Sequence, residues 1–258
     1  GWMSVKLAKQ EKDFGFLNEP ITFMYSFLDV FGESVEEIQK MSPTFLPTPA
    51  DFEPINKLNK DIKVLIAYSS DDHHREVAVK NLRTDSIIQT ISLPDSIADY
   101  DRVVNPLLLD NGDLIYAIDM RTGLRRMNKE GKFLWQQDSM RVHHAFNLDS
   151  AGNIWTCSST VPYFASGMYH MEGNPVFFVD DYISKIDIET GQIQFHKSTA
   201  EILKDNGLAY VLLQSPNTKD PVHLNDVQPA LKTTKFYNEG DLFLSSKSLS
   251  FIMQYRPS

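Results

Sequence analysis

Two histidines, His144 and His223, are the residues best suited to carry chemistry in this sequence of 258 residues. A neutral imidazole is both a nucleophile and a proton carrier near neutral pH. Each histidine begins a strand-like run, and the two runs are His144–Leu148 and His223–Val227. Because side chains alternate along a strand, Asn225 shares a face with His223, and Phe146 shares one with His144. Asn225 is therefore placed to hydrogen-bond a group held at His223.

Three further residues are candidates for the same site. Lys247 follows Ser245 and Ser246, and a cation there would favour neutral imidazoles by like-charge repulsion and attract an anionic substrate. Asn105 stands where His144 stands one repeat later. His143 points to the opposite face of its strand, which suggests packing or support of the site. We expect His223, His144, Asn225 and Lys247 to be catalytic, and Asn105, His143 and Phe146 to bind substrate.

An internal repeat fixes the positions of these candidates. Units begin at Asn105, His144 and His223, with 39 residues between the first two starts (105 to 144) and 79 between the next two (144 to 223). The second interval is one repeat plus a long insertion. Each unit reaches a glycine turn, and second hairpins follow at 124–135 and 183–195. A repeat of about 40 residues with four strands is typical of a β-propeller blade.

The predicted fold is all-β, with about three to four propeller blades in residues 57–258. The first strand of each blade lines a central channel, so that the two histidines should meet at one mouth of it. No capping element follows the strand-like run at 251–255, and we expect the propeller to be truncated at its C-terminus. A small four-bladed ring is the alternative. Residues 1–56 are predicted to form a short helical and extended segment that ends in a proline-rich linker.

Composition excludes several classes of function. The net charge of -9 argues against a general nucleic-acid binder, which needs a basic face. No run reaches the roughly 18 to 20 apolar residues of a membrane span, and no signal peptide is visible. The single cysteine, Cys157, is interpreted as a small buried apolar residue.

Two other segments attract attention. Asp71-Asp72-His73-His74 has metal-ligating side chains, but neighbours point apart and no distant partner completes a set. A solvated turn is the better interpretation, and we predict neither a metal nor a cofactor. The segment 163–178 is rich in aromatic residues and methionine. It forms either a lid over the site or ordinary packing.

The motifs resemble those of bacterial arylsulfate sulfotransferases over residues 60–258. His143–Phe146 with Asp149–Ile154 resembles the first histidine motif of that family. Asp220–Val227 is similar to its central histidine-x-asparagine motif, and Gly240–Lys247 to the strand that follows. The order and spacing of the motifs are more specific than any single one.

The resemblance implies a six-bladed propeller that moves a sulfuryl group from a phenolic sulfate to a phenol without a nucleotide donor. It implies that His223 is sulfated transiently, that His144 acts on the phenolic oxygen or braces the sulfuryl group, and that Asn225 holds sulfuryl oxygens. The family has arginine at the position of Lys247, and a further family histidine falls on a blade beyond residue 258. The family is typically periplasmic, so a periplasmic or membrane-anchored extracytoplasmic location is expected.

Other functions stay open at this point. The main alternative is a non-catalytic propeller that binds a ligand or a protein through its central funnel. A quinone- or metal-dependent enzyme would need ligand clusters that the sequence lacks. The expected partners are a small aryl sulfate and a phenol, without nucleic acid, and a homodimer is left open.

Overall fold

The computed structural model describes residues 56–69, 75–93, 103–118, 122–159, 167–171 and 174–257. The predicted N-terminal segment, up to residue 55, lies outside this part, as does the 71–74 cluster. The chain divides into two compact units. In the first, the side-chain amide of Asn56 donates to the carbonyl of Leu82 over 2.6 Å. The second unit comprises residues 65–78 and 90–258 and contains every candidate site residue.

Strands dominate the described residues. In chain order they are β1 (Lys63–Ser69), β2 (Arg75–Asn81), β3 (Ser86–Ser92), β4 (Val103–Leu108), β5 (Leu114–Ile118), β6 (Thr122–Met127), β7 (Phe133–Leu148), β8 (Ile154–Ser159), β9 (Gly167–Met171), β10 (Asn174–Phe178), β11 (Asp181–Ile186), β12 (Ile193–Ser198), β13 (Leu224–Pro229), β14 (Leu242–Ser246) and β15 (Phe251–Tyr255). Two helices, α1 (Thr199–Asp205) and α2 (Tyr210–Leu213), lie between β12 and β13. An all-β fold with few helices is confirmed.

The largest sheet has seven strands in the order β12-β11-β8-β7-β6-β5-β4. Its strand β7 is 16 residues long. The first half of β7 pairs with β6, and the second half, from Arg141 onward, pairs with β8. Two antiparallel meanders of four strands, β4–β7 and β7-β8-β11-β12, therefore share one strand. No closed ring is present among the described residues, and the repeat, the propeller and the number of blades stay predictions.

The β7–β8 turn shows why the repeated turn sequences fold as they do. The Asp149 carboxylate accepts the backbone N–H of Ala151 over 3.0 Å and that of Asn153 over 2.9 Å. Gly152 adopts a φ of 84°, a conformation that suits glycine. The Lys185 ammonium lies 2.8 Å from the same carboxylate and ties the turn to β11. The turn thus fixes the register of the strand that carries His144.

A three-stranded sheet, β13-β14-β15, packs against the second meander. Cys157 and Ile183, both fully buried, face Val227 and Leu244 across this contact. Burying side chains of this size contributes roughly 1.5–3 kcal/mol each. Helix α1 closes the edge of the cluster with Ile202 and Leu203. This apolar contact brings the strand beginning after His223 alongside the strand that contains His144.

Candidate active site

A polar tether joins the two histidine-bearing strands. The side-chain amide of Asn147, on β7, donates to the Asp226 carboxylate over 2.6 Å and to the carbonyl of Val227 over 3.0 Å. Both acceptors belong to β13. Asn147 follows His144 by three residues, and Asp226 follows His223 by three, so that equivalent positions of two repeats bond each other. The two histidines therefore lie at the same level of neighbouring strands.

The backbone has the same unusual conformation at both histidines. His144 has a φ of 60° and His223 a φ of 47°. Few residues other than glycine adopt this left-handed conformation, although histidine is among the more tolerant. A register shift occurs between His143 and Phe146 on β7, and another between Leu224 and Asp226 on β13. Such bulges redirect side chains and occur next to active sites.

Three imidazoles form a continuous row. The ring centroids of His144 and His223 are 5.5 Å apart, with an angle of 53° between the planes. The rings of His143 and His144 are 5.0 Å apart and meet edge to face at 81°. Strict alternation places His143 on the opposite face from His144, and this expectation is wrong because the bulge interrupts the alternation. His143 is buried, whereas His144 and His223 are partly exposed.

A carboxylate orients His223. Nδ1 of His223 contacts Oδ2 of Asp220, three residues earlier in the chain. The His223 side chain is 26% exposed and that of Asp220 is 18% exposed. With its Nδ1 engaged, the ring presents Nε2 as the free nitrogen. The same arrangement of a carboxylate on one ring nitrogen selects the reactive tautomer in many catalytic histidines.

A second carboxylate, that of Asp181, lies at the other end of the row. Its Oδ1 is 3.1 Å from Nε2 of His143, in the geometry of an ion pair rather than of an aligned hydrogen bond. Its Oδ2 accepts the backbone N–H of Leu224 over 2.6 Å. Asp181 is only 2% exposed. The buried charge thus has one partner on β7 and one on β13.

Lys247 and Asn225 both lie beside His223. The backbone N–H of Lys247 donates to the carbonyl of His223 over 3.0 Å, so the two residues are neighbours across the sheet. The Lys247 side chain is exposed, and its ammonium group has no ion-pair partner among the described residues. Asn225 is half-buried and is the extra residue of the β13 bulge.

The other two candidates, Phe146 and Asn105, lie on β7 and β4. Phe146 is 9% exposed and packs in a core cluster with Ile115, Val142 and Ile154. Asn105 lies on β4 at a register shift between Val104 and Leu107, the counterpart of the bulge at His144. The imidazole row is thus formed by His143, His144 and His223, with Asn225 and Lys247 adjacent along the chain.

Burial raises the pKa of two groups in this unit, the Asp180 carboxyl and the Cys157 thiol. Burial, with a smaller contribution from Asp181, raises the pKa of Asp180 to about 6. The Ser198 hydroxyl and the backbone N–H of Ala200 donate to this carboxyl group. Burial also raises the pKa of the Cys157 thiol, and the Asp181 and Asp226 carboxylates add to the effect. Cys157 is therefore a thiol in the core, in agreement with the sequence interpretation.

No group of three or more histidine, cysteine, aspartate or glutamate residues in the described ranges could hold a metal ion. Within the same ranges, no helix is long and apolar enough to cross a membrane.

The sequence reasoning missed Asp220, Asp181 and Asn147. Asp220 lies three residues before His223, and a carboxylate near a candidate nucleophile was a usable signal. Asn147 and Asp226 also stand at matched repeat positions, which could have indicated a contact between units. Asp181 comes from a different strand than either histidine, and no sequence pattern connects it with them.

Comparison with known proteins places the site in context. A family model described as arylsulfotransferase (ASST) matches residues 105–258, which include all three histidines of the row. No curated protein matches. A crystal structure of a protein of unknown function from Bacteroides caccae is similar over 70% of this chain and 69% of its own, at 11% identity and a TM-score of 0.22. A TM-score this low does not define a common fold.

Proposed function

The chain belongs to the arylsulfotransferase family, and from this premise we propose that it transfers a sulfuryl group from a phenolic sulfate ester to a phenol through a sulfohistidine at His223. The observation that carries the proposal is the environment of His223. Its Nδ1 is engaged by Asp220, its side chain is partly exposed, and the ring of His144 lies 5.5 Å away. No nucleotide donor and no metal enter this scheme.

In the first half of the reaction, the lone pair of His223 Nε2 attacks the sulfur of the aryl sulfate. The bond between sulfur and the phenolic oxygen breaks, and the phenolic oxygen leaves with the bonding electrons. Protonated His144 gives its proton to that oxygen, so that a neutral phenol departs. The sulfated imidazole of His223 is cationic while Nδ1 keeps its proton, and the Asp220 carboxylate stabilises that charge.

In the second half, the acceptor phenol gives its proton to His144 as its oxygen attacks the sulfur. The bond between nitrogen and sulfur breaks, and its electrons return to Nε2 of His223. The new sulfate ester leaves with the sulfuryl group, and both histidines regain their starting protonation. Each half uses His144 for one proton and His223 for one lone pair, so the ping-pong cycle balances.

Asn225 and Lys247 would act on the sulfuryl oxygens. The side chain of Asn225 forms no hydrogen bond with another described residue, and its NH₂ group is a suitable donor to an oxyanion. Lys247 supplies a cation one backbone hydrogen bond from His223. A lysine binds as a point charge and lacks the two-pronged grip of arginine. We expect weaker positioning of sulfate than an arginine would give.

The proposal also covers the fold of the whole protein and its location in the cell. The meanders β4–β7 and β7-β8-β11-β12, joined by β7, and the sheet β13–β15 would be parts of a six-bladed propeller. The imidazole row would then lie at one mouth of its channel. An extracytoplasmic location, periplasmic or membrane-anchored, follows from the family and is proposed with it.

The direct test is transfer from p-nitrophenyl sulfate to phenol by the purified chain, followed by the release of p-nitrophenol and the formation of phenyl sulfate. We expect His223→Ala to abolish transfer. His196→Ala is the matched control, because His196 is exposed, lies on β12 and contacts Tyr182 and Ser184 rather than the imidazole row. Without acceptor, wild-type protein should accumulate a sulfated His223 that is visible by mass spectrometry.

Transfer retained in His223→Ala would reject the histidine mechanism. No turnover on any aryl sulfate, together with ligand binding that survives His223→Ala, would instead favour a non-catalytic binding module.

A further inference from the structure

Asp181 is a buried carboxylate with two partners among the described residues, an imidazole and a backbone N–H. Its side chain is 3% exposed, at the start of β11 and directly opposite Ser159 of β8. A carboxylate removed from water costs several kcal/mol unless other groups replace the lost solvation. Here the replacements are Nε2 of His143, 3.1 Å from Oδ1, and the backbone N–H of Leu224, 2.6 Å from Oδ2.

Each partner of Asp181 leads to one histidine of the proposed reaction. His143 meets the ring of His144 edge to face, at 5.0 Å between centroids. Leu224 is the residue after His223, and its N–H belongs to the peptide group that joins the two. One carboxylate thus restrains His144 through a ring contact and His223 through the backbone. The two restraints come from the two sides of the contact between β7 and β13.

We infer that Asp181 is a positioning residue that sets the spacing between the imidazoles of His144 and His223. This inference rests on the proposed function, because it assigns Asp181 a part in that reaction without contact with the substrate. Sulfuryl transfer requires Nε2 of His223 and the proton of His144 to reach the same sulfate ester. A displacement of about 1 Å in such an arrangement can cost 10²-fold in rate.

The two contacts can be separated by the choice of substitution. In Asp181→Asn, the remaining oxygen still accepts from the N–H of Leu224, but the charge that attracts His143 is gone. In Asp181→Ala, both contacts are lost. We therefore expect kcat to fall about 10-fold in the first variant and about 10²-fold in the second. KM should stay within about 2-fold, because Asp181 does not touch the sulfate.

Asp226→Asn is the matched control. Asp226 is also a carboxylate at the contact of β7 with β13, where Oδ1 accepts from Asn147, but it touches none of the three imidazoles. We expect this variant to lose some thermal stability and to keep kcat. A purely structural role for Asp181 would make the two asparagine variants alike in both measurements.

A second readout is independent of activity. Two-dimensional NMR of the full chain with ¹⁵N-labelled histidine reports the protonation and surroundings of each imidazole. Asp181→Asn should shift the signals of His143 and His144, while Asp226→Asn leaves them in place. If wild-type protein transfers no sulfate, the proposed function fails, and these spectra still decide the positioning role. Unchanged kcat and unchanged imidazole signals in Asp181→Asn would overturn the inference, as would a loss confined to KM.

Discussion

The backbone has the same conformation at His144 and at His223, but the two imidazole rings have different neighbours. Both His144 and His223 have a positive φ, and both lie within two residues of a register shift. The ring of His144 contacts other imidazoles, whereas Nδ1 of His223 contacts the carboxylate of Asp220. A carboxylate fixes one tautomer and stabilises a positive ring, which suits a residue that becomes covalently modified.

The two histidines occupy matched positions of the predicted repeat, and their neighbours in the sequence differ. The repeat alone would make the two histidines equivalent. Asp220 precedes His223 by three residues, and the corresponding position in the other unit, three residues before His144, is Arg141. This difference supports the proposal that His223 is the nucleophile and His144 its partner.

The largest expected effect is on the transfer rate, and it distinguishes the two histidines. His223→Ala should reduce transfer by at least about 10³-fold, because the nucleophile is lost, and His144→Ala by about 10²-fold, because a proton donor is lost. The loss in His144→Ala should grow as the leaving phenol becomes more basic. Steady-state rates with a series of substituted phenyl sulfates measure this. Equal losses in both variants across the series would contradict the assigned roles.

The next effect tests the orienting carboxylate. Asp220→Asn should slow sulfation of His223 by about 10²-fold, because Nδ1 loses the acceptor that fixes the tautomer and balances the charge. Rapid-quench measurement of p-nitrophenol release reads this step directly. Asp138→Asn is the control, because Asp138 is exposed and lies in the first half of β7, and this variant should react at the wild-type rate. If the first, rapid release of p-nitrophenol is as fast in Asp220→Asn as in the wild type, Asp220 has no part in the mechanism.

A smaller effect on stability tests the positive φ that both histidines have. At both histidines, replacement by glycine should leave a more stable protein than replacement by alanine, by about 1 kcal/mol, because glycine adopts positive φ without strain. At Gln228, an exposed residue within β13, the order should reverse. Urea denaturation provides the free energies of unfolding. Alanine more stable than glycine at either histidine would show that this position lacks the left-handed backbone.

The smallest effect concerns the tether that holds the bulges together. Asn147→Ala should reduce stability by about 1 kcal/mol through the loss of its hydrogen bonds to β13. A double-mutant cycle with Asp226→Ala isolates the bond between the two side chains. We expect a coupling energy of about 0.5–1.5 kcal/mol, and additive losses would mean that the two side chains act independently.

Much of the local fold could be predicted from the sequence. The strand at 251–255 has the predicted bounds, and the predicted hairpins at 124–135 and 183–195 fall on β6 with the start of β7 and on β11 with β12. These elements are defined by short apolar runs between glycine turns, a signal contained within about ten residues. Helices α1 and α2 were not predicted, because the insertion that contains them has no counterpart in the other units.

The candidate site could be predicted only in part. Matched positions in the predicted repeat indicated that His144 and His223 lie close together, and their ring centroids are 5.5 Å apart. The alternation rule failed for His143 because a bulge depends on the pairing of two strands, and the pattern of one strand does not contain it. Phe146, proposed to bind substrate, packs in the core because the residue after a bulge returns to the buried face.

The sixteen-residue strand β7 has a consequence for how this protein acquires its structure. Its first half is the last strand of one meander and its second half is the first strand of the next, so each meander obtains one of its four strands from the same continuous β7. The two should therefore form in a single cooperative event rather than one after the other along the chain. A substitution that weakens β5, in the first meander, would then affect the surroundings of His144 during folding as well as in the folded protein.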